Sequence, residues 1–237
     1  MTETLKILFM MGSLRRLFPF WISGVILLIW AGSPFGFAAL AYGFLLQFFV
    51  EYGMHRFLYH GTPPKDQSAF NALYRSHIGH HEFPSDPEFF TGNDHWFPVR
   101  FGMMSLGLHI LVLGWFIGWV EAATLSYIAL FVGSVSAFAF YEYCHTLAHL
   151  NVEKGWFGRK VTQSHMRHHF NDHETTFHVS FGMGWIDRLF GTSYDKAKAH
   201  RRFDRKTVLS IGMDPDDLRL VTARKAFGLS DQPRSEA

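Results

Sequence analysis

The chain has 237 residues, 48% of them hydrophobic and 17% aromatic, with a formal net charge of +2. That charge is too small to point to a nucleic-acid partner. The single cysteine, Cys144, excludes an internal disulfide framework and suits a reducing compartment.

Residues 1–16 place Leu5, Leu8 and Phe9 at near-helical spacing, with Lys6, Arg15 and Arg16 between or beside them. The pattern predicts an interfacial amphipathic segment. No small-residue cleavage site follows the arginines, so a cleavable signal peptide is not expected. Two apolar blocks come next in the reading, one from Leu17 to Met54 and one from Val99 to Tyr143. Each is about twice the roughly 20 residues that a helix needs to cross a bilayer. Each is therefore read as a helical hairpin, the first turning near Ala31-Gly-Ser-Pro34 and the second near Glu121. Pro19 and Gly32 make the first span the shortest.

Between the hairpins, a polar stretch from His60 to Pro98 is divided by Pro63, Pro64, Pro84 and Pro87, and a helix is predicted from Asp66 to Glu82. After His149 a helix is expected through residues 165–169 and another from Asp187 to Phe190. Residues 195–237 read as a basic tail, with a solvated run from Lys196 to Lys206 and a disordered end from Gly228. Lys6, Arg15, Arg16, Arg56, Lys65, Arg75 and Arg100 flank the apolar blocks, while the two hairpin turns carry no Lys or Arg. By the positive-inside rule both termini face the cytoplasm, together with the polar segments between and after the hairpins.

Ten of the fifteen histidines fall into four clusters at the borders of the apolar blocks: His55 and His60; His77, His80 and His81; His145 and His149; His165, His168 and His169. Imidazole binds metal as the neutral base and is the commonest metal-ligating side chain. Residues three and four apart share a helix face, which sets His77 beside His80 and His81, and His165 beside His168 and His169. His55 and His60 are five apart, so an ideal α-helix splays them by roughly 140°. They converge only if the helix bends or ends between them; otherwise they serve different metals, the reading preferred here. Ten imidazoles exceed the needs of one ion, and two ions with four or five nitrogens each would use them all. Ligand type alone leaves zinc, copper, iron and nickel open. With no cysteine pair, thiolate zinc sites and iron–sulfur clusters are excluded.

Of the other histidines, His95 and His200 are expected at the surface, and His109, within the third span, is expected to hydrogen-bond a neighbouring helix. His173 and His178 are candidate supporters of the ligands. The acids Glu82, Asp86, Glu142, Asp172, Glu174 and Asp187 are candidate acceptors for the free ring N–H groups.

These motifs, in this order, resemble the membrane-bound fatty acid hydroxylase and sterol desaturase superfamily. The resemblance runs from Glu51 to Tyr194 and rests on Glu51-Tyr-Gly-Met-His-Arg-Phe-Leu-Tyr-His60, His80-His-Glu-Phe-Pro-Ser-Asp86, Tyr141-Glu-Tyr-Cys-His145, His165-Met-Arg-His-His-Phe170 and Trp185-Ile-Asp-Arg-Leu-Phe-Gly-Thr192. Within the superfamily, His55 to His60 and His80 to Asp86 look most like the fatty acid 2-hydroxylases. Leu150 and His178 depart from the pattern, and no segment resembling a fused cytochrome b5 domain is expected. The resemblance implies an all-α integral membrane fold, four transmembrane helices under a cytoplasmic helical cap that holds a histidine-rich dimetal site. It also implies two iron ions (zinc in some recombinant material) and O2 as co-substrate. Oxygen is inserted into an unactivated C–H bond of a lipid drawn from the bilayer. Electrons come from a separate donor, cytochrome b5-like or a ferredoxin with its reductase. Two other readings remain open at this point: a sterol, carotenoid or headgroup hydroxylase or desaturase of the same superfamily, and a metal-binding transporter. A transporter places its ligands near mid-membrane, whereas only His109 is mid-span here.

Overall fold

The computed structural model describes residues 2–92, 96–180, 184–202 and 208–229. Among these, every regular element is a helix. The described residues divide into two compact units, one within residues 2–50 and 96–143, the other within residues 51–92 and 144–229.

The first unit is built from apolar helices. A short helix α1 (Thr2–Met10) precedes α2 (Gly12–Ala31), which continues through Pro19. Gly32 ends α2 with φ +56°, a left-handed conformation that glycine adopts without a Cβ penalty, and gives its N–H to the Leu28 carbonyl. The chain then reverses into α3 (Pro34–Gly53), so the first hairpin turns where the sequence reading placed it. The second turn is displaced from the expected Glu121. It falls at Gly118 (φ +85°), between α7 (Phe97–Ile117) and α8 (Trp119–Tyr127). Only glycine accepts that backbone readily, while Glu121 suits the first turn of α8, beside the positive end of its dipole. Among the described residues, four helices are long and apolar enough to cross a membrane: Gly12–Ala31, Pro34–Tyr59, Phe97–Ile117 and Trp119–His149.

The fourth span widens into a π-helical stretch, Ile128–Ser134, before continuing as α9 (Val135–His149). There it meets α3 at backbone distance: a Cβ on Gly43 would overlap the Ala129 carbonyl, and one on Gly133 would overlap the Leu40 carbonyl. Small residues at a crossing allow this approach in a bilayer, where helices associate through packing and hydrogen bonds. Ser134 Oγ gives a hydrogen bond to the Gly43 carbonyl at 2.8 Å, and Trp21 Nε1 one to Ser136 Oγ at 3.0 Å. His109 joins a neighbouring helix as expected, its Nε2 lying 3.2 Å from Tyr42 Oη.

The second unit carries the histidine clusters. Asp66 caps α4 (Gln67–Leu73) through its side chain, which accepts from the Ala69 N–H. The helix runs on through a π segment, Tyr74–Ile78, into α5 (Gly79–Glu82), matching the predicted Asp66 to Glu82 helix. After the one-turn α6 (Pro87–Phe90), the unit resumes with α10 (Trp156–Phe170) and α11 (Trp185–Leu189). The tail is more ordered than expected. Following α12 (Lys196–Arg202), α13 (Leu218–Ala226) packs on α4 through Leu220 and Ala223 in a core with Phe70, Tyr74, Ile78 and Phe89. Gly228 and Leu229, read as disordered, stay with this core: Leu229 packs against it and its N–H reaches the Arg224 carbonyl at 2.8 Å. Hydrophobic residues spaced for one face, Leu220, Ala223 and Phe227, account for that packing. The expected disorder of 230–237 and the end of the solvated run at 203–206 lie outside the described residues.

Candidate metal centre

Each cluster is delivered by a helix. His55 lies in the π segment Met54–Tyr59, which extends α3, and the His60 N–H returns to the His55 carbonyl at 3.1 Å. This is the i to i+5 bond of a π-helix, and its wider turn brings residues five apart onto one face. His55 and His60 therefore converge, with ring centroids 5.1 Å apart. The expectation that they serve different metals is corrected: both belong to one set.

The structure assembles all ten imidazoles into two sets. His55, His60, His77, His81 and His168 offer nitrogens within 4.8 Å of one another, and so do His80, His145, His149 and His165. His169 joins the second set, its Nε2 3.0 Å from that of His80 and 3.1 Å from that of His165. Each HxxHH motif divides between the sets. His77 and His81, one turn apart, enter the first while His80 enters the second; His165 and His169 enter the second while His168 enters the first. The sets touch where the His81 and His169 rings stack, 4.3 Å between centroids.

Within the first set, Nε2 of His60 lies 2.8 Å from Nε2 of His77 and 3.1 Å from that of His168, and His77 lies 3.2 Å from His81. Within the second, the corresponding separations are 3.1 Å for His80 and His145 and 2.8 Å for His149 and His165. A ring nitrogen has one in-plane site, either a lone pair or a proton. His60, His77, His80, His165 and His169 each point that site at two other nitrogens, which hydrogen bonding alone cannot satisfy. A cation can: nitrogens about 2.1 Å from one ion and at right angles to each other lie about 3.0 Å apart. The residues present fit a metal.

The far side of the rings supports this. His55 Nδ1 gives a hydrogen bond to the Phe177 carbonyl at 2.6 Å and His168 Nδ1 one to the Thr175 carbonyl at 2.7 Å. A carbonyl only accepts, so the proton sits on Nδ1 and the Nε2 lone pair faces the centre. His55 Nε2 is buried with no hydrogen-bond partner. Burial, reinforced by neighbouring imidazoles, holds His60, His77, His80, His81, His165, His168 and His169 well below the ordinary imidazole pKa. The rings therefore stay neutral, the state in which they bind metal.

Four of the six candidate acids bond groups other than the ligand rings. Glu82 accepts from Tyr74 Oη at 2.7 Å and from Arg224. Asp86 caps α6 through the Glu88 N–H, and Asp172 accepts from the Glu174 N–H at 3.0 Å. Asp187 accepts from the N–H groups of Phe177 and His178 and from Thr192 Oγ1. Main-chain carbonyls of Phe177 and Thr175 take the ring protons of His55 and His168. Glu142 is buried in the first unit, and Glu174 is exposed. His173 stacks on His60 at 6.0 Å, while His178 is buried with Nε2 4.0 Å from Glu51 Oε2. His95 and the side chain of His200 lie outside the described residues.

Two contributors escaped sequence reasoning. Glu51, one helical turn before His55, accepts from the N–H groups of Val179 and Ser180 at 2.6 and 3.0 Å, and from Ser180 Oγ. Its position on the ligand-bearing face was the available signal. Arg224, 142 residues from Glu82, had none.

Fold and site define an α-helical membrane protein with two buried histidine sets suited to metal. Residues 40–192 match the fatty acid hydroxylase family model. The chain belongs to the fatty acid hydroxylase family. It is 28% identical over 147 residues to the ceramide very long chain fatty acid hydroxylase SCS7 of Saccharomyces cerevisiae, covering 60% of this chain and 34% of the relative. It is 26% identical over 140 residues to the fatty acid 2-hydroxylase of Homo sapiens, covering 58% and 35%. The chain thus spans about a third of the length of these relatives. The solved structure of full-length scs7p, in which only the hydroxylase domain is visible, shares the fold with a TM-score of 0.58 at 24% identity, covering 74% of this chain and 64% of that one.

Proposed function

We propose that the protein is an O2-dependent hydroxylase that inserts oxygen into an unactivated C–H bond of a fatty acyl chain, with two iron ions held by the ten histidines. The observation that carries this reading is the gathering of those ten rings into two neighbouring sets, in a chain whose named relatives are fatty acid and ceramide fatty acid hydroxylases.

His55, His60, His77, His81 and His168 would hold one ion, and His80, His145, His149, His165 and His169 the other. When bound, the ions supply the redox chemistry that activates O2. The chain's own contribution is to present neutral, oriented nitrogens and to keep water away. Carbonyls at Thr175 and Phe177 orient two rings of the first set. The Phe177 ring packs within 5.7 Å of His55, His60 and His168, and Phe90 stacks on His149 at 5.3 Å. These apolar walls lower the local dielectric and limit side reactions with water.

The lipid substrate is taken from the bilayer. Residues 1–16 form an interfacial segment, and both termini and the active site face the cytoplasm, by the distribution of Lys and Arg. A separate donor, cytochrome b5-like or a ferredoxin with its reductase, supplies electrons, and the exposed lysines of the basic tail, Lys196, Lys198 and Lys225, form its docking surface. Imidazole accepts zinc as well as iron, so recombinant preparations are expected to contain inactive zinc-loaded protein.

The test is lipid mass spectrometry on an iron-supplied host given labelled dioxygen. Fatty acids carrying one labelled oxygen atom are expected, and none when His168→Ala replaces the wild type. Loss of two hydrogens without oxygen gain would make the protein a desaturase. An unchanged lipid profile in a host with a competent electron donor would overturn the reading.

A further inference from the structure

The C-terminal segment 208–229 lies beyond the residues that match the family model, 40–192, yet it reaches the helix that carries three of the ten histidines. Leu220, Ala223 and Met213 share one core with Phe70, Leu73, Tyr74 and Ile78 of that helix, and Phe227 stacks on Tyr74 at 5.8 Å. The backbone is pinned as well. Gln67 Nε2 gives to the Arg219 carbonyl at 3.1 Å, and Arg219 Nη1 gives to the Pro64 carbonyl at 3.1 Å.

From this docked helix a single guanidinium enters the interior. Arg224 is 1% exposed and Glu82, the residue immediately after His81, is 2% exposed. Arg224 Nε gives to Glu82 Oε2 at 3.1 Å and Nη2 gives to Oε1, a two-point fork that holds the carboxylate in one orientation. Tyr74 Oη gives to the same Oε2 at 2.7 Å, and Arg224 Nη1 gives to the Pro215 carbonyl at 2.9 Å. At a second point, a Cβ on Gly212 would come within 3.1 Å of His173 Nε2, and His173 stacks on His60.

A charge pair this deep is poor evidence for stability alone, because desolvation offsets its attraction. Its best-attested use is to specify one arrangement among several. The arrangement here concerns the end of α5, where His80 faces one set and His81 the other. We propose that the C-terminal segment is a positioning element of the metal centre, and that Arg224, through its fork on Glu82, holds His80 and His81 in the register that divides them between the two sets. The inference rests on the reading of those sets as metal ligands.

The test uses the full-length protein in detergent, loaded with Co(II), a metal whose visible absorption reports its ligand field. Metal affinity is measured by chelator competition, and folding by helical circular dichroism and elution volume. Arg224→Met is expected to weaken metal binding by up to about a hundredfold, the upper range for residues that orient ligands. Arg224→Lys keeps the charge but loses the fork and is expected to cost roughly tenfold, with a shifted Co(II) spectrum and unchanged helicity. Where Arg224→Met fails to fold, Arg224→Lys decides. A folded Arg224→Lys variant with wild-type affinity and spectrum would overturn the inference. Wild-type protein that binds Co(II) with a nitrogen-ligand spectrum, yet makes no hydroxylated lipid in the iron-supplied host, would sink the proposed function and leave this inference standing. A wild type that binds no metal would sink both.

Discussion

The Nδ1–H of His55 meets the carbonyl oxygen of Phe177 at 2.6 Å, and the N–H of the same Phe177 meets Asp187 Oδ1 at 2.8 Å. A ring nitrogen aimed at the centre is thus set by a backbone unit that a carboxylate holds from behind. The pattern extends along the loop. N–H groups of residues 177 and 178 go to Asp187, those of 179 and 180 go to Glu51, and the carbonyls of 175 and 177 turn toward His168 and His55. Two acids that touch no ring of the first set therefore govern the orientation of two of its rings.

Asp187→Ala releases two amides and the Thr192 hydroxyl at once. Metal affinity is expected to fall ten- to a hundredfold, the usual cost of removing an outer support of a ligating histidine. Thr192→Val, which removes one partner of the carboxylate, is expected to have a smaller effect. Chelator competition against wild type measures both, and equal affinity in Asp187→Ala would show that the loop holds its carbonyls unaided.

The division of each HxxHH motif makes a second expectation. His81→Ala removes a nitrogen from the first set and His80→Ala one from the second, although the two are sequence neighbours. Each is expected to lower bound metal per chain by roughly half, since a site lacking one ligand binds far more weakly. Elemental analysis after gel filtration reads the result. Complete loss in both variants would mean that the sets fill as one cooperative unit.

Acid should release the metal and loosen the fold together. The folded-state pKa of His60, His77, His80, His81, His165, His168 and His169 lies well below 6.5, chiefly through burial. Below pH 6.5 the unfolded chain binds protons that the folded chain refuses, so stability is full above that value and falls as pH drops toward the folded values. Each group contributes up to about 1.4 kcal/mol per pH unit in that window. Unfolding midpoints of the metal-free protein from pH 7.5 to 5 are expected to decline steeply. A flat profile would require the imidazoles to be already protonated or exposed.

Much of this was legible in the chain itself. Asp66 and the helical spacing after it marked the helix that carries His77, His80 and His81, Gly32 marked the first hairpin turn, and the ten histidines announced themselves by clustering. What escaped has a common cause. The π segment at Met54–Tyr59 converts an i, i+5 spacing from divergent to convergent, and no local residue pattern distinguishes it from an α-helix. The carbonyls of Thr175 and Phe177 are backbone groups that every residue carries. Arg224 meets Glu82 only after 142 residues of intervening chain fold, so its partner is invisible to periodicity. The run around Arg224 also reads as an ordinary charged tail, since a buried arginine looks no different in sequence from a solvated one.

The crossing of α3 with the π stretch of the fourth span tests the membrane unit. At Gly43 a methyl group would occupy the space of the Ala129 carbonyl, and the Ser134 hydroxyl bonds the Gly43 carbonyl from the same side. Backbone cannot rotate aside as a side chain can, so Gly43→Ala must separate the helices or bend one. Overpacking of this kind costs about 1–3 kcal/mol, and more where both obstacles are main chain. Gly107, in the third span, has nothing within 4 Å of its missing Cβ. There alanine relieves the entropic cost of glycine within a helix and is worth roughly +1 kcal/mol. The two substitutions add the same methyl group to helices of similar character, yet their effects on the thermal midpoint in detergent should have opposite sign. A Gly43→Ala midpoint at or above wild type would show that α3 and the fourth span do not approach at Gly43, and that the π stretch is not held open by that contact.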